Sequence, residues 1–184
     1  MKSLIASLRL TLVTLLVVVA GYTALILAFA KLAAPDTAQG SLLLGAEGKV
    51  VGSRLIAQKF TQPRYFWPRP SAVDYNATAA GGSNKSPTSK DLTERAAKTV
   101  AEYGASPERP LPAELAAASG GGLDPHITEG GALYQAERVA AARRLPVSEV
   151  QALVHRQAFA PSGFFAPPKI VNVLELNLAL DAKP

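Results

Sequence analysis

The chain of 184 residues has no cysteine, two histidines, one methionine and one tryptophan. Without cysteine there is no disulfide to staple a domain and no thiolate to act as nucleophile or metal ligand. With only His126 and His155, histidine-based metal centres and acid–base sites have little to draw on. His126, Asp124, Glu129 and His155 are the residues a metal site would have to use, and Asp124 and Glu129 add only two oxygen ligands to two imidazoles. Charge of one sign is also scarce. The formal net charge is +5, and Lys2, Arg9 and Lys31 supply three of those charges, so the rest of the chain is only mildly basic. That is too little for a polyanion-binding surface and of the wrong sign for a cation-concentrating funnel. Arg54, Lys59, Arg64 and Arg69 do interleave with Phe60, Tyr65, Phe66 and Trp67, a pattern that can bind single strands of nucleic acid. The plainer reading puts those aromatics in a core and pairs the basic groups with acids elsewhere, and no nucleic-acid partner is expected.

Long apolar runs are absent except for one. From Leu10 to Ala30 the chain reads LTLVTLLVVVAGYTALILAFA with no charge, between Arg9 and Lys31. As a helix it would reach roughly 31 Å at about 1.5 Å per residue, enough for a hydrocarbon core of about 30 Å. Ala28-Phe29-Ala30 has the small-x-small form of a signal cleavage site, but the run exceeds the usual signal h-region, and a core helix would show a polar face. The run is therefore read as a membrane-spanning helix. Lys2 and Arg9 precede it without an acid, so residues 1–9 are expected in the cytoplasm and residues 32–184 outside. Gly21 gives it one point of close approach to another helix.

After a linker at 31–39, residues 40–184 form the expected outer domain. Ser41–Leu44 and Lys49–Ile56 read as strands around a glycine turn. Residues 61–90 are a long loop whose Tyr65, Phe66, Trp67 and Tyr75 must bury somewhere. Apolar spacing predicts helices at Asp91–Tyr103, Ala132–Arg144 and Val147–Gln157. Near the end, Leu174, Leu176, Leu178 and Leu180 alternate with Glu175, Asn177 and Ala179, which predicts a strand with one buried face. The fold class is α+β: one N-terminal transmembrane helix and a small mixed domain.

Two glycine-rich loops carry the chemistry-bearing residues. In SGGGLDPHIT, Ser119, Asp124 and His126 are the residue types of a hydrolytic triad. No G-x-S-x-G elbow surrounds the serine, however, and triad members are recognised by geometry rather than by local order. Gly120–Gly122 lacks the lysine and spacing of a phosphate loop. A turn explains the stretch better: glycines allow positive φ, Asp124-Pro125 starts a turn, and Thr128 can cap a helix whose first turn holds Glu129. Gly81, Gly82, Ser83 and Asn84 form a second loop, whose backbone N–H groups could face an anion. An anchored hydrolase using Ser119 and His126, and a small-ligand-binding module, are the alternatives on chemistry alone.

In series, the single span, GSLLLGAEGKVVGSRLIAQKF, YFWPRPSAVDYN, GGSN, SGGGLDPHIT, YQAERVAAARRLP and VNVLELNLALD resemble the KdpC family over about residues 10–181. That family supplies the C subunit of the bacterial potassium-translocating Kdp ATPase. Ala57, Ala80 and Lys85 depart from the family pattern, in which glycine, serine and leucine are usual. The resemblance implies a noncatalytic accessory subunit in the bacterial inner (plasma) membrane. Its implied partners are a channel-like potassium-translocating subunit, a P-type ATPase subunit and a small single-helix subunit. It implies assembly and stabilisation of the complex, and a catalytic-chaperone role that raises the pump subunit's affinity for ATP. ATP then enters through the complex, and if this chain holds a nucleotide directly, Gly81–Asn84 is the loop to inspect. A domain outside the membrane conflicts with direct contact to cytosolic ATP. In this reading Ser119, Gly120, Gly122, Asp124, Pro125 and His126 form a loop that holds its shape or meets a partner.

Overall fold

The computed structural model describes residues 2–45, 47–162 and 168–182. It divides into two units, one ending at Leu42 and the other beginning at Leu43.

The first unit is one long helix, Lys2–Ala33, which is long and apolar enough to cross a membrane and has none of its residues buried. It comprises α1 (Lys2–Thr14), a π-helical stretch (Leu15–Gly21) and α2 (Tyr22–Ala33). The helix is longer than the uncharged run because Ser3, Ala6, Ser7 and Leu8 carry no helix breaker and extend it toward the N-terminus. The expected linker at 31–39 is mostly helical. α2 continues to Ala33, and α3 (Pro35–Ala38) starts with proline at its first position, where the missing N–H is not needed.

β1 (Leu42–Leu44), which starts at the last residue of the first unit, pairs with β2 (Val50–Ser53), and both are shorter than the sequence reading. No helix or strand interrupts residues 54–89. Then follow α4 (Lys90–Glu102), α5 (Ala113–Ala116), β3 (His126–Thr128), α6 (Glu129–Arg143), α7 (Val147–Gln157), β4 (Ile170–Asn172) and α8 (Val173–Asp181). β3 and β4 are antiparallel, with His126 opposite Asn172, Ile127 opposite Val171 and Thr128 opposite Ile170. The core gathers Phe66, Leu115, Ile127, Val139, Val150, Val154, Val171, Leu176 and Leu180 between this sheet and α6, α7 and α8.

The expected C-terminal strand is the main correction. Only Ile170–Asn172 is extended, and the leucines lie on α8. The Asn172 side chain accepts from Glu175 N at 3.1 Å and caps the new helix. Val173, Leu176, Asn177 and Leu180, at helical spacing, are all buried. The alternation of leucines persists in the sequence because this helix is also covered at Leu174 and half-covered at Leu178.

α7 has the bounds expected from its spacing, with Val150, Leu153 and Val154 inward. α4 buries only Thr99, while Val100, placed on the apolar stripe by its spacing, is exposed. Residues 163–167, where proline and phenylalanine cluster in the sequence, lie outside the described residues.

Candidate functional site

The stretch 119–128 is where the separate parts of the domain meet. Ser119 N donates to Pro70 O at 3.0 Å, Gly81 N to Gly121 O at 2.9 Å, Ala57 N to Leu123 O at 2.9 Å, and Val173 N to Pro125 O at 2.9 Å. Its last three residues are not turn, as expected, but strand β3, because β4 supplies a partner that is remote in sequence. Thr128 Oγ1 accepts from Gly131 N at 3.0 Å and caps α6, as its position before Glu129 suggested. Glu114 on α5 in turn binds the Thr128 hydroxyl and backbone N–H.

The two glycine-rich loops pack on each other. A Cβ on Gly82 would lie 2.6 Å from Gly120 O, and one on Gly122, at φ +71°, would lie 2.7 Å from Gly81 O. Real Cβ atoms do not approach carbonyl oxygens so closely, so both glycines are there to let two backbones touch. The Gly81 N–H, one of the groups a phosphate cradle would use, is occupied by Gly121. Lys85, which departs from the family pattern, reaches Asp91 at 2.6 Å at the start of α4. That hydrogen bond and the lysine's charge hold the Asp91 carboxyl below its usual range.

Asp124 is the polar centre of the loop. Its carboxylate accepts the His126 backbone N–H at 3.0 Å and lies 3.4 Å from His126 Nδ1 and 3.4 Å from an Arg69 nitrogen. Burial pushes this carboxyl up. Hydrogen bonds from the His126 ring and backbone, with the charges of His126 and Arg69, outweigh burial and hold it below the usual range. Arg69 also donates to Ala118 O at 3.3 Å, and Tyr75 donates to Arg69 O at 2.9 Å. Ser71 Oγ accepts from Val73 N and Tyr75 N. RPSA and SGGGLDPHIT are thus two halves of one hydrogen-bonded unit.

The arrangement does not form a hydrolytic triad among the described residues. Asp124 stands beside His126 as a triad acid would, but Ser119 is buried and no hydrogen bond joins it to His126. The His126 ring instead packs edge-on against Phe159, with centroids 5.8 Å apart. His155 is paired elsewhere, with its Nδ1 2.7 Å from Glu129 Oε1. Among the described residues no three His, Cys, Asp or Glu side chains gather to hold a metal ion.

The aromatic segment is held by groups the sequence reading missed. Asn177 on α8 accepts from Phe66 N at 2.8 Å and donates to Phe66 O at 3.0 Å. Gln135 on α6 does the same for Trp67, at 2.8 and 3.0 Å. Each side-chain amide stands in for a neighbouring strand and satisfies both backbone groups of its residue. Arg138 donates to Pro63 O at 2.7 Å and Tyr65 O at 3.0 Å and stacks 3.8 Å over Trp67. Burial lowers its pKa to about 10, against an upward pull from Tyr103. The available signal was Asn177 itself, a polar residue between two leucines in a leucine-rich run. The four basic groups of the aromatic stretch all face acids: Arg54 with Glu175, Lys59 with Asp74, Arg64 with Asp181 and Arg69 with Asp124.

A single apolar span precedes a small α+β domain whose motif loops are bound to one another, the form of a membrane-anchored module. The polar residues of its loops bond within the domain, and neither a Ser–His–Asp triad nor a metal-holding cluster is assembled among the described ones. Residues 4–182 match the family model described as KdpC: K+-transporting ATPase, c chain. The chain is 65% identical over 181 residues to the potassium-transporting ATPase KdpC subunit of Parvibaculum lavamentivorans, covering 98% of this chain and 97% of that one. Proteins of the same name from Pseudomonas aeruginosa and Gloeobacter violaceus are each 45% identical, over 97% and 87% of this chain and 96% and 85% of their own. The chain belongs to the KdpC family.

Proposed function

We propose that this chain is a noncatalytic accessory subunit that assembles and stabilises an ATP-driven potassium import complex. The family places it in a potassium-transporting ATPase. The observation that carries the finer reading is the state of the loop at 119–128. Its backbone reaches Ala57, Pro70, Gly81 and Val173, and Asp124 serves His126 and Arg69, so its residues are engaged in holding a shape. Such a rigid, loop-rich module suits a part that fits against larger subunits. The expected neighbours are a channel-like subunit, a P-type ATPase subunit and a small single-helix subunit. Asp124 and His126, both partly exposed, are the loop side chains offered to a channel subunit.

In this reading the N-terminus is cytoplasmic and the domain lies outside, following Lys2 and Arg9 before the span. A rise in the pump subunit's ATP affinity then reaches it through membrane-embedded contacts. Binding of ATP at Gly81–Asn84 would require the domain to face inward and the Gly81–Gly121 contact to open. The test is a mild-detergent pull-down of the chain from its native membrane under potassium scarcity, with ATPase assay of the eluate. Co-elution of large membrane subunits with potassium-stimulated hydrolysis is expected. Elution of a folded chain alone would overturn the reading. Replacing Asp124 with Asn and His126 with Gln then asks whether the loop edge is a contact: unchanged assembly and potassium affinity would remove that role.

A further inference from the structure

The second unit covers its large apolar side chains well except in one place. Among its described residues Leu44, Val50 and Leu55 are the most exposed of these, at 61%, 58% and 57%, and no other exceeds 44%. All three belong to the β1–β2 hairpin or to the turn that follows it. The base of the hairpin is covered. Ser53 is buried, and a Cβ on Gly52 would overlap the Gln58 amide and come within 2.8 Å of Leu174 on α8. Farther out, Gly45 N donates to Lys49 O at 2.9 Å and closes the turn. That closure sets Leu44 opposite Val50, with both side chains on one face. Val51, on the other face, lies over Gly45, where a Cβ would come within 2.8 Å.

The chain itself points to what covers this face. Residues 34–41 alone separate the end of the span at Ala33 from β1, and α3 takes four of them in helical form. At about 3.4 Å per extended residue, the hairpin stays within roughly 30 Å of chain from the bilayer. Leucine and valine bring no donor, acceptor or ring, whereas protein contacts are anchored by Trp, Tyr and Arg. Three side chains also fall far short of the roughly 800 Å² per partner that a stable protein interface buries. A segment tethered beside the bilayer needs no such area, because its effective concentration at the lipid surface is high. The turn bears Glu47 and Lys49, paired at 2.7 Å and both largely exposed, so tip-first entry into hydrocarbon is costly. Lying flat keeps that ion pair among the headgroups and brings the aliphatic face to the acyl boundary.

We propose that the β1–β2 hairpin is a lipid-contacting element: the face of Leu44 and Val50, with Leu55 beside it, rests on the bilayer surface and gives the domain a second hold on the membrane. The proposal rests on the span crossing the bilayer and holds for either orientation of the chain. It is independent of the loop at 119–128.

The chain has no cysteine, so an introduced one takes a fluorophore at a single place. Full-length chains with Leu44→Cys, Val50→Cys, Val100→Cys or Leu16→Cys are labelled with bimane and reconstituted in phosphatidylethanolamine–phosphatidylglycerol vesicles. A phospholipid bearing a nitroxide near the headgroup end of its acyl chain should quench the labels at 44 and 50. It should not quench the label at 100, an exposed valine on α4. Leu44→Asp, added to Val50→Cys, should abolish quenching at 50, with unchanged Trp67 emission showing that the domain is still folded. The label at 16 reads the span through a nitroxide deep in the acyl chain. Quenching there with none at 44 and 50 overturns the proposal and leaves the anchor standing; no quenching at 16 overturns the anchor as well. Equal quenching at 100, or quenching at 50 that survives Leu44→Asp, also overturns the proposal. The same labelled chains assembled into the complex test the rival occupant: loss of lipid quenching at 44 and 50 there would assign the face to a partner subunit and overturn the proposal.

Discussion

Two segments of this chain are rich in leucine and valine and both are helical, yet their surroundings are opposite. Along Leu10–Phe29 the large apolar side chains are exposed, and none of the helix Lys2–Ala33 is buried by protein. Along Val173–Leu180 they are covered, with Leu176 at 0% and Leu180 at 1% exposure. The first helix is apolar on every side and polar at both ends, so its complement is hydrocarbon. The second carries Asn172 as a cap, Glu175 bonded to Arg54, and Asn177 aimed at a backbone partner. Hydropathy is shared by the two. What separates them is whether polar groups within the run have destinations in the same domain.

The contrast is sharpest for loss of one leucine. Leu176→Ala should destabilise the domain by about 2–5 kcal/mol, read as a lowered denaturant midpoint, since it opens a cavity in close packing. Leu16→Ala should leave that midpoint unchanged. Charge inverts the comparison. Leu16→Arg should cost about 3 kcal/mol in membrane insertion, measured by a glycosylation-reporter assay, with the domain's melting unaltered. Asn177→Ala should cost about 2–3 kcal/mol, because the Phe66 N–H and C=O lose their partner in a buried place. Asn177→Leu, more apolar still, should not recover it; recovery would mean that apolarity alone determines the fit of α8. Thr128→Ala, removing the cap of α6, should cost about 1 kcal/mol by thermal denaturation.

The smallest effect concerns acid. Asp124 has a folded-state pKa below its ordinary 3.8, so it stabilises the domain fully above that value. The contribution fades as pH falls from about 3.8 through the lowered folded value. Asp124→Asn should remove that part of the acid sensitivity, seen as a shallower fall of stability below pH 4 in the variant, a limit set by the ordinary carboxylate range of roughly 4.

The same contrast explains what could be read in advance. The span was legible because a run of that length without charge has few other uses. α7 was legible to its ends because Pro146 marks its start and Val150 and Val154 mark its face. α8 was not, because a helix buried nearly all round leaves no polar face, and alternate leucines then fit a strand equally well. At the candidate site, the turn-forming residues and the Thr128 cap were visible, since both follow local rules. The meeting of Gly81 with Gly121, the β3–β4 register and the Gln135 and Asn177 clamps were not, because each joins residues far apart in sequence.

The pairing of β3 with β4 has a consequence for synthesis. His126, Ile127 and Thr128 find their strand partner only in Ile170–Asn172, and Phe66 finds its amide only in Asn177. A nascent chain that has reached α7 still lacks both. The domain therefore cannot close while its last turns remain in the ribosomal tunnel, and the span, made first, is free to enter the bilayer before the rest of the protein has a fold to defend.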